Sequence, residues 1–135
     1  MAISWGTIAA AASGTVGSIV TFAFGGWSDA LTLLLVAMGI DYVTGLASAL
    51  RRKHLSSGAG FWGLARKGLV MLVVLLAHRI DLLLDTGEMA MAGAVYFYIV
   101  NELISIAENY GELGLPFPER LRALIAALRD QQDKD

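Results

Sequence analysis

The chain of 135 residues lacks cysteine altogether, which excludes a disulfide framework, thiol chemistry and any metal site with Cys ligands. Its two histidines, His54 and His78, lie far apart in sequence and make a poor metal site. The sequence contains no glycine-rich phosphate loop, no zinc-ligand spacing and no nucleophile triad. It therefore predicts neither an enzyme nor a bound cofactor or metal.

Charged residues are also scarce. Only 16% of the residues are charged while 56% are hydrophobic, and the mean hydropathy is +0.62. About a quarter of the residues of a soluble domain are charged, because a small globule has a large surface to solvate. The net charge of -2 argues against a nucleic-acid partner, since phosphate binding needs clustered excess Lys and Arg. We therefore predict an integral membrane protein with the lipid bilayer as its solvent.

Four apolar stretches are long enough to cross a bilayer as helices. They cover about residues 5–24, 30–50, 61–84 and 89–107. A helix of about 20 residues crosses a hydrocarbon core of about 30 Å, and helix is expected because an open sheet would leave backbone groups unpaired in lipid. The sequence predicts an all-α, polytopic membrane protein with four transmembrane helices, and three is the alternative.

The first stretch is the mildest of the four. Residues 5–24 are rich in Ala, Gly, Ser and Thr, so they either span the membrane or lie in its interface. Their small residues recur four positions apart, which suits close helix–helix approach in lipid. Residues 1–28 have no Lys or Arg and run into further apolar sequence, so we expect them to belong to the mature protein.

The third stretch contains several ionisable residues. A charge at the bilayer centre costs about 2.5–3.5 kcal/mol on insertion scales, so we expect this span to begin near residue 61. Arg66 and Lys67 then extend to the cytoplasmic headgroups. His78, Arg79 and Asp81 would lie near the outer interface, as an anchor with a local ion pair.

The chain changes character after residue 110. Gly111, Gly114, Pro116 and Pro118 interrupt any helix. Beyond them, apolar residues recur at i, i+3, i+4 and i+7, namely Leu121, Leu124, Ile125 and Leu128. We therefore divide the chain into a transmembrane domain, residues 1–110, and a cytoplasmic amphipathic helix with a charged tail, residues 111–135.

The distribution of charge predicts the topology. Residues 51–67 contain Arg51, Arg52, Lys53, Arg66 and Lys67 and no acidic residue. The turn at residues 85–88 contains two acidic residues and no basic one. The positive-inside rule places the basic connection in the cytoplasm and the acidic turn outside. With four spans, both termini are cytoplasmic.

Asp41 and Glu102 are acidic residues inside the second and fourth predicted spans, at similar depth. Acids within a membrane are candidates for a functional site. They could specify helix association, line a water path, relay protons, or pair with Arg66 or Lys67. They could also merely fix packing through hydrogen bonds to Tyr42, Thr44, Asn101 or neighbouring backbone.

Four segments, in this order along the chain, resemble the toxin-secretion/phage-lysis family of phage holins, which includes a clostridial toxin-release protein. They are DYVTG at 41–45, LSSGAGFWG at 55–63, NELISIAEN at 101–109 and GLPFP at 114–118. The resemblance covers about residues 25–128.

The resemblance implies a small phage protein of the bacterial inner membrane. Such a protein forms homo-oligomers and opens lesions that release an endolysin, or a secreted protein, for host lysis. The matching segments imply that the assembly or pore face contains Asp41, Gly45, Asn101 and Glu102. The loop motif contributes Ser56, Ser57, Gly58, Gly60 and Phe61, of which Ser57 is expected to N-cap the third helix.

Two other functions fit the same sequence. The chain could be an antiholin-like or accessory membrane protein that regulates a holin without opening lesions. It could also be a small channel or transporter with a defined path past Asp41 and Glu102.

Overall fold

The computed structural model describes residues 2–134, which contain five helices and no strand. The helices are α1 (Trp5–Phe24), α2 (Asp29–Arg51), α3 (Ser57–Leu84), α4 (Met89–Glu112) and α5 (Glu119–Lys134). The prediction of an all-α fold is thereby confirmed. α5 lies where the sequence predicts a short amphipathic helix after the Gly- and Pro-rich interruption.

The first three helices begin at serine caps. The hydroxyls of Ser4, Ser28 and Ser56 accept hydrogen bonds from backbone N–H groups three residues later. Each cap satisfies one of the N–H groups that a helix leaves without a partner. The expected cap at Ser57 is wrong by one residue, because Ser56 has the extended backbone that a cap requires and Ser57 is already helical.

Two helix ends depend on left-handed backbone conformations. α1 ends at Gly25 (φ 73°), and α3 ends at Asp85 (φ 54°). A Cβ on Gly25 would lie 2.8 Å from Cε1 of His78, so a glycine is required both by the backbone and by the neighbouring ring. This close approach brings the end of α1 onto α3.

Three helices are long and apolar enough to cross a membrane: α1, α2 and α4. The mildly apolar α1 is therefore among them. α3 is the longest helix at 28 residues, but it carries Arg66, Lys67, Arg79 and Asp81 and does not belong to this group. The structure thus supports an integral membrane protein with three candidate spans, and a fourth span through α3 remains a proposal.

The apolar core lies between α2, α3 and α4. Its buried members are Leu31, Leu34 and Met38 of α2, Val74 and Ala77 of α3, and Met91, Val95 and Ile99 of α4. α5 packs against α4, and α1 packs against α3. Residues 2–19 are all exposed, so α1 contacts the bundle only through its carboxyl-terminal end.

The outside of the bundle is largely apolar. Large hydrophobic side chains are exposed on every helix, among them Ile19, Val43, Leu72 and Phe97. Lipid tails solvate such side chains as well as a protein core does, so this surface needs no further burial in a bilayer. In water the same surface would be a large uncovered apolar patch.

Candidate functional site

A single lysine joins the two predicted intramembrane acids. The ammonium Nζ of Lys67 lies 2.8 Å from Oδ2 of Asp41 and 2.8 Å from Oε2 of Glu102. The three side chains are 15%, 16% and 12% exposed, respectively. They come from α3, α2 and α4, so this ionic cluster links the three helices of the core.

The position of Lys67 corrects one expectation. The sequence places Lys67 with Arg66 at the cytoplasmic headgroups, but its side chain points into the bundle. Two carboxylates within hydrogen-bond distance attract the ammonium more strongly than hydrated headgroups do, since Coulomb attraction increases as the surroundings become less polar. Arg66 is exposed, and it lines the cavity beside the cluster.

Asn109 holds the Asp41 side of the cluster in place. Its amide Nδ2 lies 2.9 Å from Oδ1 of Asp41, 3.1 Å from the main-chain oxygen of Asp41 and 2.9 Å from Oγ1 of Thr44. Sequence reasoning names Asn101 as a partner for the acids, but Asn101 is exposed. The helical spacing Glu102, Ser105, Asn109 is the signal that could have identified Asn109, since i, i+3 and i+7 share one face.

The cluster opens onto a cavity of about 410 Å³ between α2, α3 and α4. Its charged lining residues are Asp41, Glu102, Arg66 and Lys67, so the formal charges balance. Tyr42 crosses one wall, where its hydroxyl donates to the main-chain oxygen of Gly60 at 3.1 Å. Such a polar recess can hold water inside an otherwise apolar bundle.

The remaining predicted residues are divided between this cavity and the surface. Gly45 faces Asn109: a Cβ built on Gly45 would lie 3.7 Å from its amide nitrogen. Gly60 lines the cavity next to Tyr42, whereas Phe61 is 73% exposed. A Cβ built on Gly58 would have no neighbouring atom within 4 Å. All four residues predicted for an assembly or pore face therefore line this cavity within a single chain, and Asn101 is the exposed one among them.

The basic end of α2 is tied to the end of α4. Arg51 donates a hydrogen bond to the main-chain oxygen of Leu113, and Arg52 lies 3.5 Å from the carboxylate of Glu112. The hydroxyl of Ser48 donates to the same carboxylate. Cations at the carboxyl end of α4 also interact favourably with its dipole. Arg51 and Arg52 therefore fix helix packing in addition to any role in topology.

Asp81 forms a second polar site, at the opposite end of the bundle. It is 1% exposed, and its two oxygens accept hydrogen bonds from Oγ1 of Thr86 (2.6 Å), N of Ala90 (2.8 Å) and N of Met91 (2.8 Å). Asp81 thus satisfies the first backbone donors of α4, where Glu88 gives no side-chain cap.

The expected local ion pair is therefore wrong for Asp81, whereas its place near the outer interface stays a prediction. No ion pair involves Asp81 anywhere in residues 2–134, because its oxygens are already occupied by α4. Arg79 instead lies over the ring of Phe22, 4.4 Å from its centroid, and His78 packs against Gly25. These two residues join α3 to α1.

Within residues 2–134, no group of three or more His, Asp or Glu residues could hold a metal ion. The candidate spans, the internal, charge-balanced polar cluster and the apolar exterior together are those of a helical integral membrane protein.

Comparisons with known proteins agree with this class and narrow it. A model of the bacteriophage holin family matches residues 18–130. An uncharacterised 14.9 kDa protein of Clostridium perfringens is 38% identical over 131 residues, 96% of this chain and 95% of that protein. An uncharacterised protein of Halalkalibacterium halodurans is 41% identical over 120 residues, 85% of this chain and 89% of that protein.

A protein named as a probable holin, from Bacillus phage phi105, is 35% identical over 104 residues, 77% of each chain. No solved structure matches significantly. The chain belongs to the bacteriophage holin family, which confirms the resemblance drawn from the four sequence segments.

Proposed function

We propose that the chain oligomerises in the bacterial inner membrane and opens lesions through which an endolysin reaches the cell wall. Membership of the holin family supports a phage holin role. The structural observation that carries the proposal is the ionic cluster of Lys67, Asp41 and Glu102, enclosed by three helices with apolar outer surfaces. In a dispersed chain the bundle keeps these three charges away from lipid.

Assembly would exchange these internal contacts for contacts between chains and with water. Polar contacts between membrane helices average only about 0.6 kcal/mol, so separating Lys67 from its two acids is a modest cost that neighbouring copies can offset. Asp41, Gly45, Asn101 and Glu102 would then line the lesion or join its subunits. Many weak contacts of this kind make assembly steeply dependent on the number of chains present.

We further propose that α3 is the fourth span, with both termini in the cytoplasm. The capping of α4 by Asp81 holds α3 and α4 in a tight hairpin, which favours their crossing the membrane together. The turn at residues 85–88 is acidic and residues 51–67 are basic, which favours the cytoplasm for the basic connection.

Induced expression tests the proposed function directly. The chain is expressed alone and together with an endolysin, while membrane potential and release of a cytoplasmic reporter enzyme are followed. We expect abrupt loss of potential in both cultures, and abrupt lysis only in the culture with endolysin.

The other outcomes identify the alternatives. A potential that persists at high expression would exclude lesion formation and favour an antiholin-like or accessory role. Ion flux without release of the reporter enzyme would favour a channel lined by the cavity beside Lys67.

A further inference from the structure

α5 lies alongside α4 rather than beyond its end. The hydroxyl of Tyr96 donates to the main-chain oxygen of Leu128 at 3.3 Å. The side-chain amide of Gln132 donates to the main-chain oxygen of Phe97 at 3.5 Å. Ile125, on the same face of α5 as Leu128 and Gln132, is 8% exposed. Only residues 113–118 connect the two helices, yet the end of α5 reaches the amino-terminal half of α4, so the helices run antiparallel.

The contact at Phe97 sets the depth of α5. Phe97 lies about 15 residues before Glu112, the last residue of α4, which is about 22 Å along the helix at about 1.5 Å per residue. α4 is one of the helices long and apolar enough to span a membrane. Phe97 lies near the middle of the predicted span 89–107, so Gln132 would lie close to the midplane of a hydrocarbon core of about 30 Å.

The outward surface of α5 is unsuited to hydrocarbon at that depth. Its charged side chains are all exposed: Glu119, Arg120, Arg122, Arg129, Asp130, Asp133 and Lys134. Charged side chains in a membrane face a protein interior or a water-filled space. When α4 spans the membrane with α5 docked on it, water must therefore cover the outer face of α5.

The connection between the two helices suits a docked and an undocked position. Residues 113–118 contain Pro116, Pro118 and Gly114, whose φ of 71° turns the chain back on α4. Only Ile125 among the residues of α5 is buried, so few contacts oppose its release. An amphipathic helix released from α4 can lie on the membrane surface with its charges in water.

We propose that α5 forms part of the water-facing wall of the lesion, next to the polar residues that α2 and α4 contribute. It lies on the cytoplasmic membrane surface while the chains are dispersed, and it docks along α4 when assembled chains surround water. This inference rests on the lesion-forming function proposed above. The outer faces of the other helices are largely apolar, so α5 supplies a charged surface that can face water.

Cross-linking in cells tests the docking. The chain has no cysteine of its own, so a Phe97→Cys, Leu128→Cys variant carries a single thiol pair. Both hydrogen bonds between the helices survive these changes, because each residue contributes only its main-chain oxygen. A short, membrane-permeable bis-maleimide is added before and after the onset of lysis. After denaturation, protein of single-chain size is isolated and cut by trypsin at Arg120 and Arg122, and a cross-link within one chain keeps the two fragments together.

We expect the cross-linked fraction to rise at least about tenfold at onset, a shift of about 1.4 kcal/mol in the docking equilibrium. A His54→Cys, Phe97→Cys variant is the control and should stay at background throughout. Reporter release is measured in the same cultures, so the two proposals can fail separately. Release without a rise in cross-linking, or full cross-linking before onset, would overturn the role of α5. Absence of release would overturn the lesion-forming function itself.

Discussion

Replacement of Lys67 by Met removes the ammonium that joins Asp41 and Glu102 while keeping a side chain of similar length. Two contacts are lost, each of about 0.6 kcal/mol on average and about 1.7 kcal/mol at most. We therefore expect the variant to be destabilised by about 1–3 kcal/mol. Removing one partner of an ion pair in a soluble core costs about 3–5 kcal/mol, but here the side chains keep 12–16% of their exposure.

Thermal unfolding in a mild detergent measures this loss, and the time of lysis onset in cells measures its consequence. Because the bond that holds α3 to α2 and α4 is gone, onset should come earlier than in the parent chain. Arg66→Met is the matched control: it removes the neighbouring cation, which lines the same cavity and has no ion pair within residues 2–134.

A double variant separates pairing from general damage. In Asp41→Asn, Lys67→Met only Glu102 is left without a counter-charge, so the total loss should be smaller than the sum of the two single losses. Equal losses of stability in Lys67→Met and Arg66→Met would refute the view that Lys67 holds the three helices together. A loss in the double variant equal to the sum of the two single losses would refute it as well.

Three further predictions concern stability in detergent. Asp81→Ala should lower the free energy of unfolding by about 1–2 kcal/mol through loss of the α4 cap, whereas Asp81→Asn should cost less, and equal costs would contradict the capping role. Gly25→Ala should lower the free energy of unfolding by about 1–2 kcal/mol through its left-handed backbone alone. Adding His78→Ala should remove only the additional clash with the ring, and full recovery of stability would contradict the backbone requirement. Asn109→Leu should cost more than Asn101→Leu, because only Asn109 bonds to Asp41; the reverse order would count against the observed geometry.

Much of the fold can be predicted from the sequence because a membrane restricts the choices. Long apolar stretches must form helices in lipid, and four stretches indeed lie within α1 to α4. Asp41 and Glu102 can be selected because acids in apolar helices are rare. Their partner among the basic residues could not be fixed, since Arg66 and Lys67 are adjacent and only the rotation of α3 decides which one faces inward.

The predictions at Asp81 and Ser57 were wrong because both depend on local backbone geometry, which a sequence pattern does not give. Asp81 was interpreted from its neighbours in sequence, but its partners are Ala90 and Met91, across a turn whose geometry no periodicity reveals. In the pair Ser56 and Ser57 either hydroxyl can cap a helix, and the choice depends on which residue first adopts helical angles.

The attachment of α1 has a consequence for how the chain can be handled. Phe22 and Gly25 hold α1 to α3, while residues 2–19 are exposed. The family match likewise begins at residue 18, near the start of this attachment. The sequence of the exposed part of α1 can therefore change without disturbing the packing of α2, α3 and α4, as long as it stays long and apolar enough to span the membrane. A reporter group placed there would follow the movement of that part separately from the stability of the bundle.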